Sequence, residues 1–159
     1  MNIGFHQTRL LVSFHLDTGN YMDLQENLFF TSALFGELRT MTGTDGISDP
    51  AALQVFLERF GKYVASGILH DGAFKLRIEQ QQADGAWTIL NLTETQCNKL
   101  IDEALKSEGC PWIERELIYD ALQLFGWSAF DDDRHAAAQG QTITAMNTAP
   151  PFAPAPNYA

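Results

Sequence analysis

The chain has 159 residues, 20 acidic against 10 basic, a net charge of −10, and an apolar fraction of 45%. That suits one domain around one core, and the acidity argues against direct binding to a phosphate backbone. No apolar run approaches the ~20 residues of a membrane-spanning helix, and two cysteines, Cys97 and Cys110, make neither a disulfide framework nor a four-ligand zinc site.

The opening Met1-Asn2-Ile3-Gly4-Phe5-His6 lacks the basic and long apolar regions of a signal peptide, so a reducing, cytoplasmic setting is expected, or a virion if the chain is phage-encoded. Thr8 to Asp17 alternates. Leu10, Val12, Phe14 and Leu16 share one face, and Arg9, Leu11, Ser13, His15 and Asp17 the other, the pattern of a half-buried strand before the turn signal Thr18-Gly19-Asn20. Asp23 to Met41 reads as a helix. Leu24, Leu28, Phe35 and Leu38 lie near one stripe, Phe30, Leu34 and Met41 widen it, and Phe29 and Ala33 point the other way. Gly36 inside such a helix costs about 1 kcal/mol relative to Ala and hints at close packing. Ser48-Asp49-Pro50 then supplies a cap and a first-position proline. Leu53, Phe56, Leu57, Phe60, Tyr63 and Val64 keep helical spacing up to a stop at Gly67.

Ala73 to Gln80 returns to period two, with Phe74, Leu76 and Ile78 toward the core and Lys75, Arg77 and Glu79 toward solvent. Asp84-Gly85 before Trp87 to Leu92 completes a hairpin over 73–92. Thr93-Glu94-Thr95-Gln96 has the form of a capping box, ahead of a stripe of Cys97, Leu100, Ile101, Ala104 and Leu105 closed by Gly109. Cys110-Pro111 opens another helix to Phe125, with Ile113, Leu117, Ala121 and Leu124 inward and Gly126 as its stop. Residues 135–159 hold no Lys, Arg, Asp or Glu but four of the six prolines. The expected organisation is a 1–127 α+β domain and a 128–159 extended arm. The domain is read as a small antiparallel sheet of about three strands, packed against about four amphipathic helices.

Chemistry-bearing motifs are sparse. His15 with Asp17, and His70 with Asp71, converge as a metal or acid–base site only if the two strands pair near one another. Asp131-Asp132-Asp133 lacks the glycine and distant glutamate of a calcium loop and reads as a solvated charge run. Cys97 reads as a buried structural thiol, and Cys110, at a helix N-terminus, as the more reactive one if exposed. No phosphate-cradling, dinucleotide, nucleophile-elbow or zinc-protease string occurs, so no cofactor and no metal are implied.

Binding features are more numerous. Phe29, Trp112 and Trp127 are surplus to the apolar stripes, and aromatic side chains are enriched at interfaces. The arm adds Phe130, Phe152 and Tyr158, with Pro151-Phe152-Ala153-Pro154 in P-x-x-P spacing. Asp102, Glu103, Glu114 and Glu116 belong to an acidic stretch. The expectation is a non-enzymatic, acidic protein–protein interaction module, a subunit of a larger assembly of the kind a phage or mobile element encodes. It docks through its arm on a basic protein or a neighbouring subunit, a second copy of itself included. The alternatives are an inhibitor or immunity-type protein blocking a basic nucleic-acid-binding partner, a secretion-type chaperone, and a small enzyme using the two histidine–aspartate pairs.

Overall fold

The computed structural model describes residues 2–15, 21–40 and 63–138. The described elements are strands β1 (Gly4–Phe5), β2 (Val12–His15), β3 (Tyr21–Leu24), β4 (Leu28–Ser32) and β5 (Gly36–Thr40), helix α1 (Val64–Phe74), strands β6 (Ile78–Gln81) and β7 (Trp87–Ile89), and helices α2 (Glu94–Ser107) and α3 (Trp112–Ala138). The fold is α+β. An antiparallel five-stranded sheet runs in the order β1-β4-β5-β6-β7, and β2 and β3 form a separate antiparallel pair.

The expected helix over 23–41 is instead strand β3 followed by the β4–β5 hairpin. Alternation decides it. Leu28, Phe30 and Ser32 on β4 and Leu38 and Thr40 on β5 are buried, in the register Leu28↔Thr40, Phe30↔Leu38 and Ser32↔Gly36. Two of these inward residues are polar and are satisfied locally. The Thr40 hydroxyl accepts from the Leu28 N–H at 3.2 Å, and the Ser32 hydroxyl donates to a Glu103 carboxylate oxygen at 2.6 Å. Gly36 serves the turn and not close packing: its φ is +75°, and a Cβ there would meet nothing within 4 Å.

The helix expected from Pro50 falls outside the described residues as far as position 62. Its proposed stop is overturned, because α1 passes through a buried Gly67 and ends at Phe74. Strand character over 73–77 is overturned with it. The Arg77 N–H bonds the Gly72 carbonyl at 2.7 Å, Leu76 takes φ +55°, and the two together make a Schellman-type helix end with leucine in the left-handed position. Lys75 and Arg77 are therefore buried, not solvent-facing, and Lys75 Nζ lies 3.0 Å from Asp71 Oδ1. Ile78 does face the core, and the hairpin that follows it is as expected. Gln81 pairs with Trp87 across a turn in which Gly85 has φ +85° and the Ala86 N–H bonds Asp84 Oδ1. Gly72 lets α1 approach the sheet, since a Cβ there would lie 3.2 Å from Thr40 Cγ2 and 3.5 Å from Ile78 Cγ1.

Three apolar clusters hold the layers. Phe30, Leu38 and Ile78 from the sheet meet Leu69, Ala73 and Phe74 of α1 and Cys97, Leu100 and Ala104 of α2. The adjoining flank of the same α2 stripe gives Ile101 and Leu105 to a second cluster with Tyr63, Cys110, Ile118 and Leu122, which seats α3. Leu24, Leu28, Ala65 and Ile68 form a third. The α2 helix matches its sequence reading throughout: Thr93 and Gln96 form the reciprocal capping box, and Gly109 closes the end at φ +77°.

Helix α3 departs most from expectation. It does not stop at Gly126, which is buried; a Cβ there would lie 3.8 Å from Phe74 Cζ. The helix continues to Ala138, so residues 128–138 are helical and not the start of an extended arm. Phe130 packs edge-on against Phe74 with centroids 5.2 Å apart. Arg134 Nη2 donates to the carbonyls of Ala73 at 3.0 Å and Leu92 at 2.7 Å, and its guanidinium lies 4.7 Å over the Phe130 ring. Residues 139–159, with Phe152 and Tyr158, lie outside the described part.

Candidate interaction surface

An α-helix turns about 100° per residue, so the orientation of α3 follows from its buried members. Ile118, Leu122 and Gly126 are buried, Arg115 is half-buried among them, and Tyr119 is half-buried at one edge. The opposite side carries Trp112, Glu116, Asp120 and Gln123, with Ile113 and Leu117 beside them, all exposed. Trp112 is 67% exposed, and Ile113 and Leu117 are 57% each. Ile113 and Leu117 were expected inward; the helix presents Ile118 and Leu122 instead. Both sets have helical spacing, and the one that meets Cys110, Leu105 and Tyr63 is the one covered.

On this surface Glu116 and Asp120 follow a central line, one turn apart. Trp112 flanks them on one side and Ile113 with Leu117 on the other, across an arc of about 140°. A cluster of large exposed apolar side chains is the usual mark of a protein-binding patch.

The other acids proposed for binding are largely used within the chain. Asp102 Oδ1 accepts from Arg115 Nη1 at 2.9 Å. Glu103 accepts from the Ser32 hydroxyl and the Ala33 N–H and so fastens the β4–β5 turn to α2. Glu114 accepts from the Tyr63 hydroxyl at 3.4 Å. Glu108, which the sequence gave no reason to single out, accepts from the Ser66 hydroxyl and N–H, and its burial raises its pKa above the usual carboxylate range. Glu116 is the member of the expected acidic face that remains exposed. Glu103→Ala should cost about 2 kcal/mol of stability, because it strips two acceptors from one turn. Urea titration of the variant measures this, and an unchanged midpoint would mean solvent replaces both bonds.

The aromatic candidates divide. Trp112 is on the exposed surface. Trp127 lies on α3 itself rather than past its end. Phe130 belongs to the core. Phe29 sits on the face of the sheet opposite α1 and α2, half-buried between His6 (centroids 6.1 Å) and Trp87 (6.0 Å). Arg39 stacks 4.5 Å from the Trp87 centroid and its Nε lies 2.6 Å from Glu79 Oε2. His6 Nε2 approaches Thr31 Oγ1 at 2.7 Å and Glu37 Oε2 at 3.2 Å. These groups satisfy one another and knit β1, β4, β5, β6 and β7 together.

The histidine–aspartate pairs are not assembled into a site by the described residues. His70 is buried in α1, its Nε2–H donating to Asn98 Oδ1 at 3.2 Å and its ring 4.2 Å from Phe74, and burial pulls its pKa down to about 4. Asp71 pairs with Lys75. His15 is on β2, in the other sheet, and Asp17 lies outside the described residues. Cys97 is buried with its pKa pushed up to about 12, mainly by desolvation, and Cys110 is buried beside Glu114. Among the described residues no group of three or more His, Cys, Asp or Glu is arranged to hold a metal ion, and no helix is long and apolar enough to cross a membrane. No family model, curated protein or solved structure matches the chain.

Proposed function

We propose that the chain is a non-enzymatic protein–protein interaction module, a subunit of a larger assembly, and that its docking surface is the first half of α3. The observation that carries this reading is the exposure of Trp112, Ile113 and Leu117 on a helix that packs through Ile118 and Leu122 on its other side. Folding does not need these side chains inside, and leaving them in water forgoes about 1.5–3 kcal/mol each if they could be fully buried. A partner that covers them recovers that energy.

The test compares the wild-type chain with the double variant Ile113→Ser, Leu117→Ser. Both should fold with the same circular dichroism spectrum and melting temperature within a few degrees. Cross-linking in the native host, read by quantitative mass spectrometry, should give a discrete partner with the wild-type chain. The variant should lose it, and reconstitution from purified proteins should reproduce the loss. Equal recovery of partners by both chains would remove α3 from the interface.

A further inference from the structure

Resting on the α3 reading above, we propose that the partner presents a basic amphipathic helix, with a Lys/Arg row flanked by apolar side chains, which lies along Trp112, Ile113, Glu116, Leu117 and Asp120. Charge and its order across the surface select this partner. Helix α3 carries six acids, Glu114, Glu116, Asp120, Asp131, Asp132 and Asp133. Its two arginines are both spent inside the chain, Arg115 on Asp102 and Arg134 on two backbone carbonyls. Among the described residues no ion pair involves Glu116 or Asp120, so the exposed side of the first half of α3 carries their negative charge. Glu116 and Asp120, i and i+4, form the middle of the patch, and the apolar groups form its borders.

A purely apolar partner would bury two uncompensated carboxylates, which is costly. A second copy of this chain would bring the same carboxylate row against itself, with a net charge of −10 on each side. A cationic row at i, i+4 meets both acids at once while its apolar flanks cover Trp112 on one side and Ile113 with Leu117 on the other. A helix is the occupant because the surface is the exposed face of an α-helix. Neighbouring helices pack on such a face through i, i+3 and i, i+4 side chains.

The probe is a labelled helical peptide of about 18 residues, long enough to hold helix in water, with lysines at i, i+4 between leucines. One control peptide has the lysines replaced by glutamates, and a second has the same composition with the lysines spread round the helix. The wild-type chain should bind the first peptide in fluorescence anisotropy, with affinity falling as salt is raised, and should bind both controls about tenfold or more weakly. Glu116→Lys with Asp120→Lys should invert the preference, so that the glutamate peptide becomes the tighter ligand. Asp131→Lys with Asp132→Lys, further along the same helix, should leave the preference as it is.

Equal binding of the lysine and spread peptides, or a preference untouched by reversing Glu116 and Asp120, overturns the proposal. So does a dimer of the wild-type chain that the serine double variant dissolves, since the occupant is then a second copy. If the native partner is lost with Ile113→Ser and Leu117→Ser while the lysine peptide fails to bind, the basic helix is refuted and the docking surface stands. If neither effect is seen, both fall.

Discussion

Between pH 6.5 and about 4 the folded chain is expected to lose roughly 3 kcal/mol of stability through His70 alone. The sign follows from the direction of the shift. Burial lowers the folded-state pKa of His70, and its bond to Asn98 only partly offsets that. The unfolded chain takes up a proton near pH 6.5 and the folded chain resists until about 4, so acid favours unfolding across that window. Above pH 6.5 the ring is neutral in both states and contributes no slope. Glu108 acts in the opposite direction, because its raised pKa makes the folded state the better proton acceptor as its carboxyl titrates. The measurement is urea stability at pH 7, 5.5 and 4.5 for the wild-type chain and for His70→Gln. The glutamine amide can still donate to Asn98 Oδ1 but does not titrate. The variant should show a flatter pH dependence. Parallel curves would mean that His70 is not the group that destabilises the fold in acid.

How much of this was legible in the sequence depended on whether inward positions were apolar. Helix α2 was read correctly because every signal agreed: a capping box at Thr93, a single apolar stripe, and a glycine after the last turn. The β4–β5 hairpin was misread because its alternating inward set includes Ser32 and Thr40. Their burial is made affordable by hydrogen bonds to Glu103 and to the Leu28 backbone, partners that sequence periodicity does not show. With those two positions counted as polar, Leu24, Leu28, Phe35 and Leu38 fit a helix better than a strand. Phe74, Leu76 and Ile78 misled in a different way. Their period-two spacing spans a helix end, a left-handed residue and the first position of β6, three local conformations in five residues.

The site was legible in part. Trp112 stood off every apolar stripe, and that is why it marks the surface. Ile113 and Leu117 were hidden by symmetry. The start of α3 is apolar on two sides, and only the position of Cys110, Leu105 and Tyr63 decides which side is covered. The acidic face shrank for a related reason. Composition counts carboxylates, but Asp102, Glu103 and Glu114 are consumed by partners from β4, α3 and the residue before α1. Fold class survives such errors because it rests on the number and order of layers. A binding surface does not, because it rests on which of two adjacent helical stripes is left over.

Ending the chain after Trp127 should now be strongly destabilising, and this is the consequence of α3 that differs most from the reading of residues 128–159 as an arm. The cut removes the Phe130 ring from Phe74 and removes both donors that Arg134 supplies to the carbonyls of Ala73 and Leu92. Ala73 and Leu92 are buried in the intact fold, where Arg134 meets both carbonyls. Two charge-assisted hydrogen bonds and one partly buried ring amount to about 4–6 kcal/mol. That is a large share of the roughly 5–15 kcal/mol that holds a domain of this size. A chain ended after Ala138 keeps all of these contacts and is the proper reference. It should melt well above the 1–127 chain, which should be marginal or unfolded at 37 °C. In the full-length protein, Arg134→Met should account for the larger part of the loss, since the methionine chain retains packing over Phe130 but donates nothing. Phe130→Ala should account for most of the remainder. Because Arg134 stacks on Phe130, the two changes should fall short of additivity when combined. Equal melting temperatures for the 1–127 and 1–138 chains would show that the last turns of α3 add nothing to the core, and would return residues 128–138 to the arm.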